Sequence, residues 1–301
     1  MGLENLRQHP FNTTLLGVMR GVADFREMAI SDATLFGGTG HAFLINIHEA
    51  LCPSGPYVWD RSHFSRLARN LGIEMADLGF YQHSTVKSER AAVETKLRDA
   101  LDARMPCSLM NMENQLITGY DDTGFETAGP WPQNDFPPRR LTFQTWEELG
   151  EEIHLSFYTF REIEPSDRKT MVRQSLEYAV ELFGNPTNYT GAPYGMGPDA
   201  YDRWLAAIGD HGASHGNWWN AVVWGECRQH AGRYMSEIAE WFPASADTAR
   251  QLAAVYADIG AGLNEASDKE LPTEEKKSLV AELKDRELAA VKLAEQVLVE
   301  I

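Results

Sequence analysis

The residues with the most chemical potential lie between positions 35 and 60, LFGGTGHAFLINIHEALCPSGPYVWD. The pattern predicts a glycine-rich turn at residues 37–40 that opens an apolar helix over residues 42–51. The first turn of a helix leaves backbone N–H groups without intrahelical acceptors, an arrangement that can seat a nucleophile or hold an anion. His48 follows His41 by seven residues on the same predicted helical face and reads as structural. A second constellation comprises Asp210, His211, His215, Glu226, Cys227 and His230. Histidines four residues apart can share a helical face and ligate a metal. Here Gly209, Gly212 and Gly216 predict a loop, the remaining donors lie more than two turns away, and Trp218, Trp219 and Trp224 mark packing core; no metal is expected. The GAPYGMG run at 191–197 lacks the Lys-Ser/Thr of a phosphate loop and reads as a structural loop.

Three cysteines, Cys52, Cys107 and Cys227, are too few and too scattered for a disulfide framework, and none forms a C-x-x-C pair. Cys52 sits at the far end of the predicted helix, where the macrodipole opposes negative charge. Cys107 falls on a predicted core strand, where a free thiol behaves as a small apolar group.

The elements that must carry these residues change character along the chain. Helices are predicted over residues 15–29, 62–70 and 89–103, the last capped by Ser88. Strands are predicted over residues 72–81, 106–112, 115–120, 125–127, 141–146 and 154–163, with Asp121 and Asp122 as turn formers. A Pro-rich loop, GPWPQNDFPPRR, interrupts them. Beyond residue 165 the pattern is helical: residues 167–183 capped by Ser166, then 198–208, 217–242, 247–263 and a final helix after Pro272. That last helix carries Val280, Leu283, Val291, Ala294, Leu298 and Ile301 on one face. The stripe could serve a homodimer, although closing its own domain is the preferred reading. The expectation is an α+β domain over residues 1–164 and an all-α domain over residues 165–301.

The chain has 301 residues and a formal net charge of −17, from 44 acidic against 27 basic side chains. That charge repels phosphate backbones and anionic bilayers, so neither nucleic acid nor membrane is an expected partner. The N-terminal residues carry no basic-then-apolar leader pattern, and no apolar run reaches the eighteen or so residues of a membrane span. With so few cysteines, these features point to a cytoplasmic protein.

Three stretches resemble the papain-like cysteine peptidase superfamily, nearest to bacteriocin-processing peptidase-type domains and the N-terminal domain of butirosin biosynthesis protein H, an acyltransferase. Thr39-Gly40-His41-Ala42-Phe43-Leu44 is similar to the place where that group has Cys-Gly opening its first core helix. Met105-Pro106 followed by residues 107–112 is similar to its helix end and strand. The run from Gln115 to Asp122, QLITGYDD, is similar to its strand and Gly-Tyr-Asp turn. Gly197-x-x-Ala200-x-x-x-Trp204 looks like the helical extension attached to such domains.

The resemblance implies a papain-like fold whose triad is not filled. Thr39 stands at the nucleophile position, Glu113-Asn114-Gln115 where the histidine falls, and Ala128-Gly129-Pro130 where an aspartate ordinarily precedes a proline. It therefore implies a degenerate domain binding a small polar or peptide-like ligand, contacted by Gly38, Gly40, Glu113, Asn114 and Gln115, with no cofactor. The alternative is an acyl or amide transferase or hydrolase that uses Thr39 with His41 as base, or a substrate-borne thioester.

Overall fold

The computed structural model describes residues 1–131 and 133–301; Pro132 of the Pro-rich loop lies outside the described residues. In chain order the helices and strands are α1 (Thr14–Phe25), α2 (Asp32–Gly38), β1 (Asn46–His48), α3 (Ser62–Asn70), β2 (Ile73–Gln82), α4 (Lys87–Asp102), β3 (Cys107–Asn111), β4 (Glu113–Tyr120), β5 (Gly124–Thr127), β6 (Arg140–Thr142), β7 (His154–Glu162), α5 (Arg168–Gly184), β8 (Tyr194–Met196), α6 (Pro198–His211), α7 (His215–Trp241), α8 (Ala246–Ala266) and α9 (Thr273–Glu300). The chain is of mixed α+β class with a helical C-terminal region, as its pattern predicts.

Two compact units divide it. One comprises Met1–Ile30 with Gly72–Pro165, the other Ser31–Leu71 with Ser166–Ile301. The transition near residue 165 is thus one of three crossings, and the glycine-rich stretch belongs with the helices.

The first unit is built on a six-stranded antiparallel sheet in the order β2-β7-β3-β4-β5-β6. β7, between β2 and β3, is buried on both faces: Leu155 and Phe157 on one, Ser156, Tyr158 and Phe160 on the other. Asp121 makes the predicted turn, its carboxylate accepting from the Thr123 and Gly124 amides. β6 stops at Thr142, short of the predicted residue 146. Glu148 accepts from the Thr142 amide at 2.9 Å, and Glu94 accepts from the Gln144 amide at 2.6 Å and Trp146 Nε1 at 2.9 Å. The Thr142 and Gln144 amides thus go to carboxylates and not to a longer ladder. α4 begins at Lys87 without a side-chain cap, so Ser88 is not its N-cap. Arg90 instead anchors the loop before the helix, donating to the carbonyls of Gln82, His83 and Thr85 while lying over the Trp146 ring.

α1 packs on β4, and the sequence allows a close approach. A methyl group added at Gly21 would lie 2.2 Å from the Arg7 carbonyl oxygen and 2.7 Å from Leu116 Cδ1. Gln8 completes the layer, its side chain donating to Asn114 O at 2.7 Å and accepting from Leu116 N at 2.9 Å.

In the second unit α5 to α9 form the helical body. Asp167, one residue beyond the predicted cap Ser166, accepts from Thr170 N at 2.9 Å, and Ser214 caps α7. α9 packs on α5, α6 and α8 within this unit and buries Val280, Leu283 and Ala294 of the predicted stripe, while Val291, Leu298 and Ile301 are half-buried. β1 pairs with β8, Asn46 opposite Met196 and His48 opposite Tyr194, so residues 194–196 are strand where a loop is predicted.

Gly21→Ala is expected to destabilise the protein by about 1–3 kcal/mol through overpacking, seen as a lower urea midpoint. Gly184→Ala, where an added methyl meets nothing within 4 Å, is the control. A midpoint unchanged in Gly21→Ala would contradict the close approach of α1.

Candidate functional site

The glycine-rich turn ends a helix instead of opening one. α2 is capped at its N-terminus by Ser31, runs to Gly38 and has Thr39 at its C-cap, followed by Gly40 at φ +75. A left-handed residue just after the last turn is a common helix stop, and glycine adopts it without strain. Residues 41–43 make one 3-10 turn and Leu44 is extended, so the helix predicted over 42–51 does not form. The reason is a side chain far away in sequence. Arg228 Nη1 donates to Ala42 O at 2.7 Å and Leu44 O at 2.8 Å, carbonyls that a continuing helix would have used internally.

This reverses the electrostatics expected at Thr39. The macrodipole presents its negative end there, which does not stabilise an oxyanion. The Thr39 hydroxyl, fully buried, donates to the carbonyls of Leu35 at 2.7 Å and Phe36 at 3.1 Å. Gly38 and Gly40 serve packing. A methyl group at Gly38 would lie 2.9 Å from Leu71 Cδ2, and one at Gly40 would lie 2.4 Å from the Tyr178 ring.

His41 is also buried, among Trp59, Phe64 and Trp224. Its Nδ1 lies 3.5 Å from Cys227 Sγ. Burial first, then the positive charges of Arg61 and Arg228, push its pKa down to about 3, while a backbone hydrogen bond opposes them. The ring is therefore neutral across the physiological range.

The dominant polar feature of this unit is the buried ion pair of Arg228 and Glu287, with Nε donating to Oε1 at 2.5 Å. Tyr201 donates its hydroxyl to the same carboxylate oxygen at 3.1 Å. Burial works against the guanidinium charge, and the Glu287 carboxylate together with Tyr201 and Tyr256 more than offsets it.

The metal constellation is dispersed: Cys227 faces His41, His230 stacks on Phe36 at 4.0 Å, and His215 lies against Trp218. Among the described residues no three His, Cys, Asp or Glu side chains are grouped as a metal ion requires. Burial holds the Cys107 thiol up at about 12, leaving it protonated.

Glu113, Asn114 and Gln115 belong to the first unit, whereas Gly38, Thr39, Gly40 and His41 belong to the second. The geometry anticipated at Thr39, a hydroxyl heading a helix beside the 113–119 strand, occurs at Thr14. Thr14 is the first residue of α1, and its hydroxyl donates to Glu113 Oε2 at 2.8 Å. The Asn114 amide N–H and side-chain Nδ2 donate back to Thr14 Oγ1 at 3.1 and 3.3 Å. Asn114 is only 2% exposed, and among the described residues its Oδ1 has no partner. Gln115 points elsewhere: its Nε2 donates to Pro138 O at 2.8 Å, with Thr127 Oγ1 and Ala128 O at 3.3 Å. Asn12-Thr13-Thr14, polar residues before an apolar helical pattern, were the available sequence signal for this site.

No family model and no curated protein matches this chain.

Two outcomes follow. An unfolded chain binds protons on its histidines near pH 6.5, whereas folded His41 resists protonation down to about 3 and His230 down to about 4. Between those limits the unfolded state holds more protons, so stability falls as pH drops. His41→Gln should flatten the decline of the urea midpoint between pH 6.5 and pH 4; an unchanged slope would refute the assignment. Arg228→Met alone should cost about 3–5 kcal/mol by stranding Glu287, while Arg228→Met with Glu287→Leu should recover much of it. Equal losses in the single and double variants would show that the pair is not coupled.

Proposed function

We propose that this chain is a papain-like domain without peptidase chemistry, joined to a helical region, that binds a small polar or peptide-like ligand in its sheet-bearing unit. The observation that carries this reading is the cluster of Thr14, Glu113 and Asn114 at the N-terminus of α1. In the resembled group a nucleophile heads the first core helix and a histidine precedes the Gly-Tyr-Asp strand. Here a helix packs on the strand that ends in Gly119-Tyr120 ahead of the Asp121 turn, Thr14 heads the helix, and Glu113 opens the strand. Neither a thiol nor an imidazole belongs to the cluster, and a threonine hydroxyl is a weak nucleophile without a matched base. What persists is a set of hydrogen-bonding groups at a helix start, including one buried acceptor left unpaired.

The net charge of −17 supports a small ligand over nucleic acid or an anionic bilayer. No helix among the described residues is long and apolar enough to cross a membrane.

The test combines binding and turnover. Titration of 15N-labelled protein with N-acetylalanine methylamide should give saturable shifts at Thr14, Leu15 and the Asn114 side-chain amide. A model acyl thioester should be hydrolysed no faster than in buffer. Shifts absent from these residues would overturn the reading, and so would thioester hydrolysis that Thr14→Val abolishes.

A further inference from the structure

The hydrogen-bond directions in the α1 cluster specify what its ligand must offer. The Thr14 proton goes to Glu113 Oε2, so Thr14 Oγ1 acts as an acceptor toward Asn114. Both the backbone N–H of Asn114 and its Nδ2 use that oxygen. Rotating the Asn114 amide by half a turn would set its oxygen against another acceptor, so the network fixes Nδ2 toward Thr14 and Oδ1 away from it. The unmet valence is therefore an acceptor, almost wholly buried, and it calls for a donor. At the same helix end the Leu16 and Gly17 amides donate to Thr13 O, whereas the N–H groups of Thr14 and Leu15 have no intrahelical carbonyl and call for an acceptor.

Resting on the binding reading above, we infer that the ligand presents a carboxamide that keeps at least one N–H, with that N–H donated to Asn114 Oδ1 and its carbonyl oxygen received by the Thr14 and Leu15 amides at the start of α1. A carboxylate would satisfy the helix end but bring a second negative group beside Glu113 and leave Asn114 Oδ1 without a donor. An ammonium would pair with the acceptors but meet the positive end of the helix dipole. A carboxamide carries both functions and no net charge. Primary amides and peptide groups share this chemistry.

Three probes of similar size separate the possibilities: acetamide, N,N-dimethylacetamide and acetate, each titrated into 15N-labelled full-length protein. The signals followed are the Thr14 and Leu15 amides and the Asn114 side-chain NH2. Acetamide should shift them saturably, and dimethylacetamide, which lacks an N–H, should bind about tenfold more weakly or not at all. Asn114→Leu should remove the response to acetamide. Because the probe comparison is made on the unsubstituted chain, the result does not depend on that variant folding. Equal or tighter binding of dimethylacetamide or acetate overturns the carboxamide assignment and leaves ligand binding at this site standing. If neither the three probes nor N-acetylalanine methylamide moves these signals, the binding reading falls and the assignment falls with it.

Discussion

The helical unit depends on one buried guanidinium. Arg228 on α7 neutralises its charge against Glu287 on α9 and spends Nη1 on two carbonyls just beyond α2. Moving a cation into a protein interior is unfavourable by several kcal/mol unless its partners are well placed. Here the partners come from distant parts of the chain, so the pair joins elements that only folding brings together. Tyr201 on α6 adds its hydroxyl to the same carboxylate, bringing a third long helix into the network.

This constraint decides the conformation of the segment with the most suggestive sequence. Once the Ala42 and Leu44 carbonyls point at Arg228, residues 41–45 cannot continue as a helix, and the chain proceeds into β1. The glycines before it take up the close packing of α2. A methyl group at Gly37 would fall 2.1 Å from the Tyr234 ring, so that position has to be bare for α2 to lie on α7. A run of glycines before an apolar stretch reads as a phosphate or nucleophile loop, yet the same run lets two helices touch. The difference lies in whether the backbone N–H groups or the carbonyls face the site.

In the sheet-bearing unit one cluster of buried polar groups lies where α1 begins. A hydroxyl, a carboxylate and an amide satisfy one another in a short chain of bonds that leaves a single acceptor over. A reactive centre would need a nucleophile whose proton can leave and a base of matched basicity. The α1 cluster instead holds fixed donors and acceptors, which suits recognition.

The sequence by itself determined the class and most of the elements. Residues 62–70 form α3 as their spacing predicts, and the strands around Cys107, Gly119 and Phe157 follow local patterns of apolar residues and turn formers. Asp121 could be read as a turn former because its partners lie two and three residues away. Only the tertiary structure decided that residues 42–51 form no helix, because Arg228, which takes the Ala42 and Leu44 carbonyls, lies 186 positions beyond Ala42. Likewise, only the tertiary structure brought Thr14 to Glu113, across 99 positions. Short-range periodicity encodes which segments are helical or extended. It carries no record of which distant side chain will claim a backbone carbonyl or hydroxyl, and here those long-range bonds decide where the polar site lies.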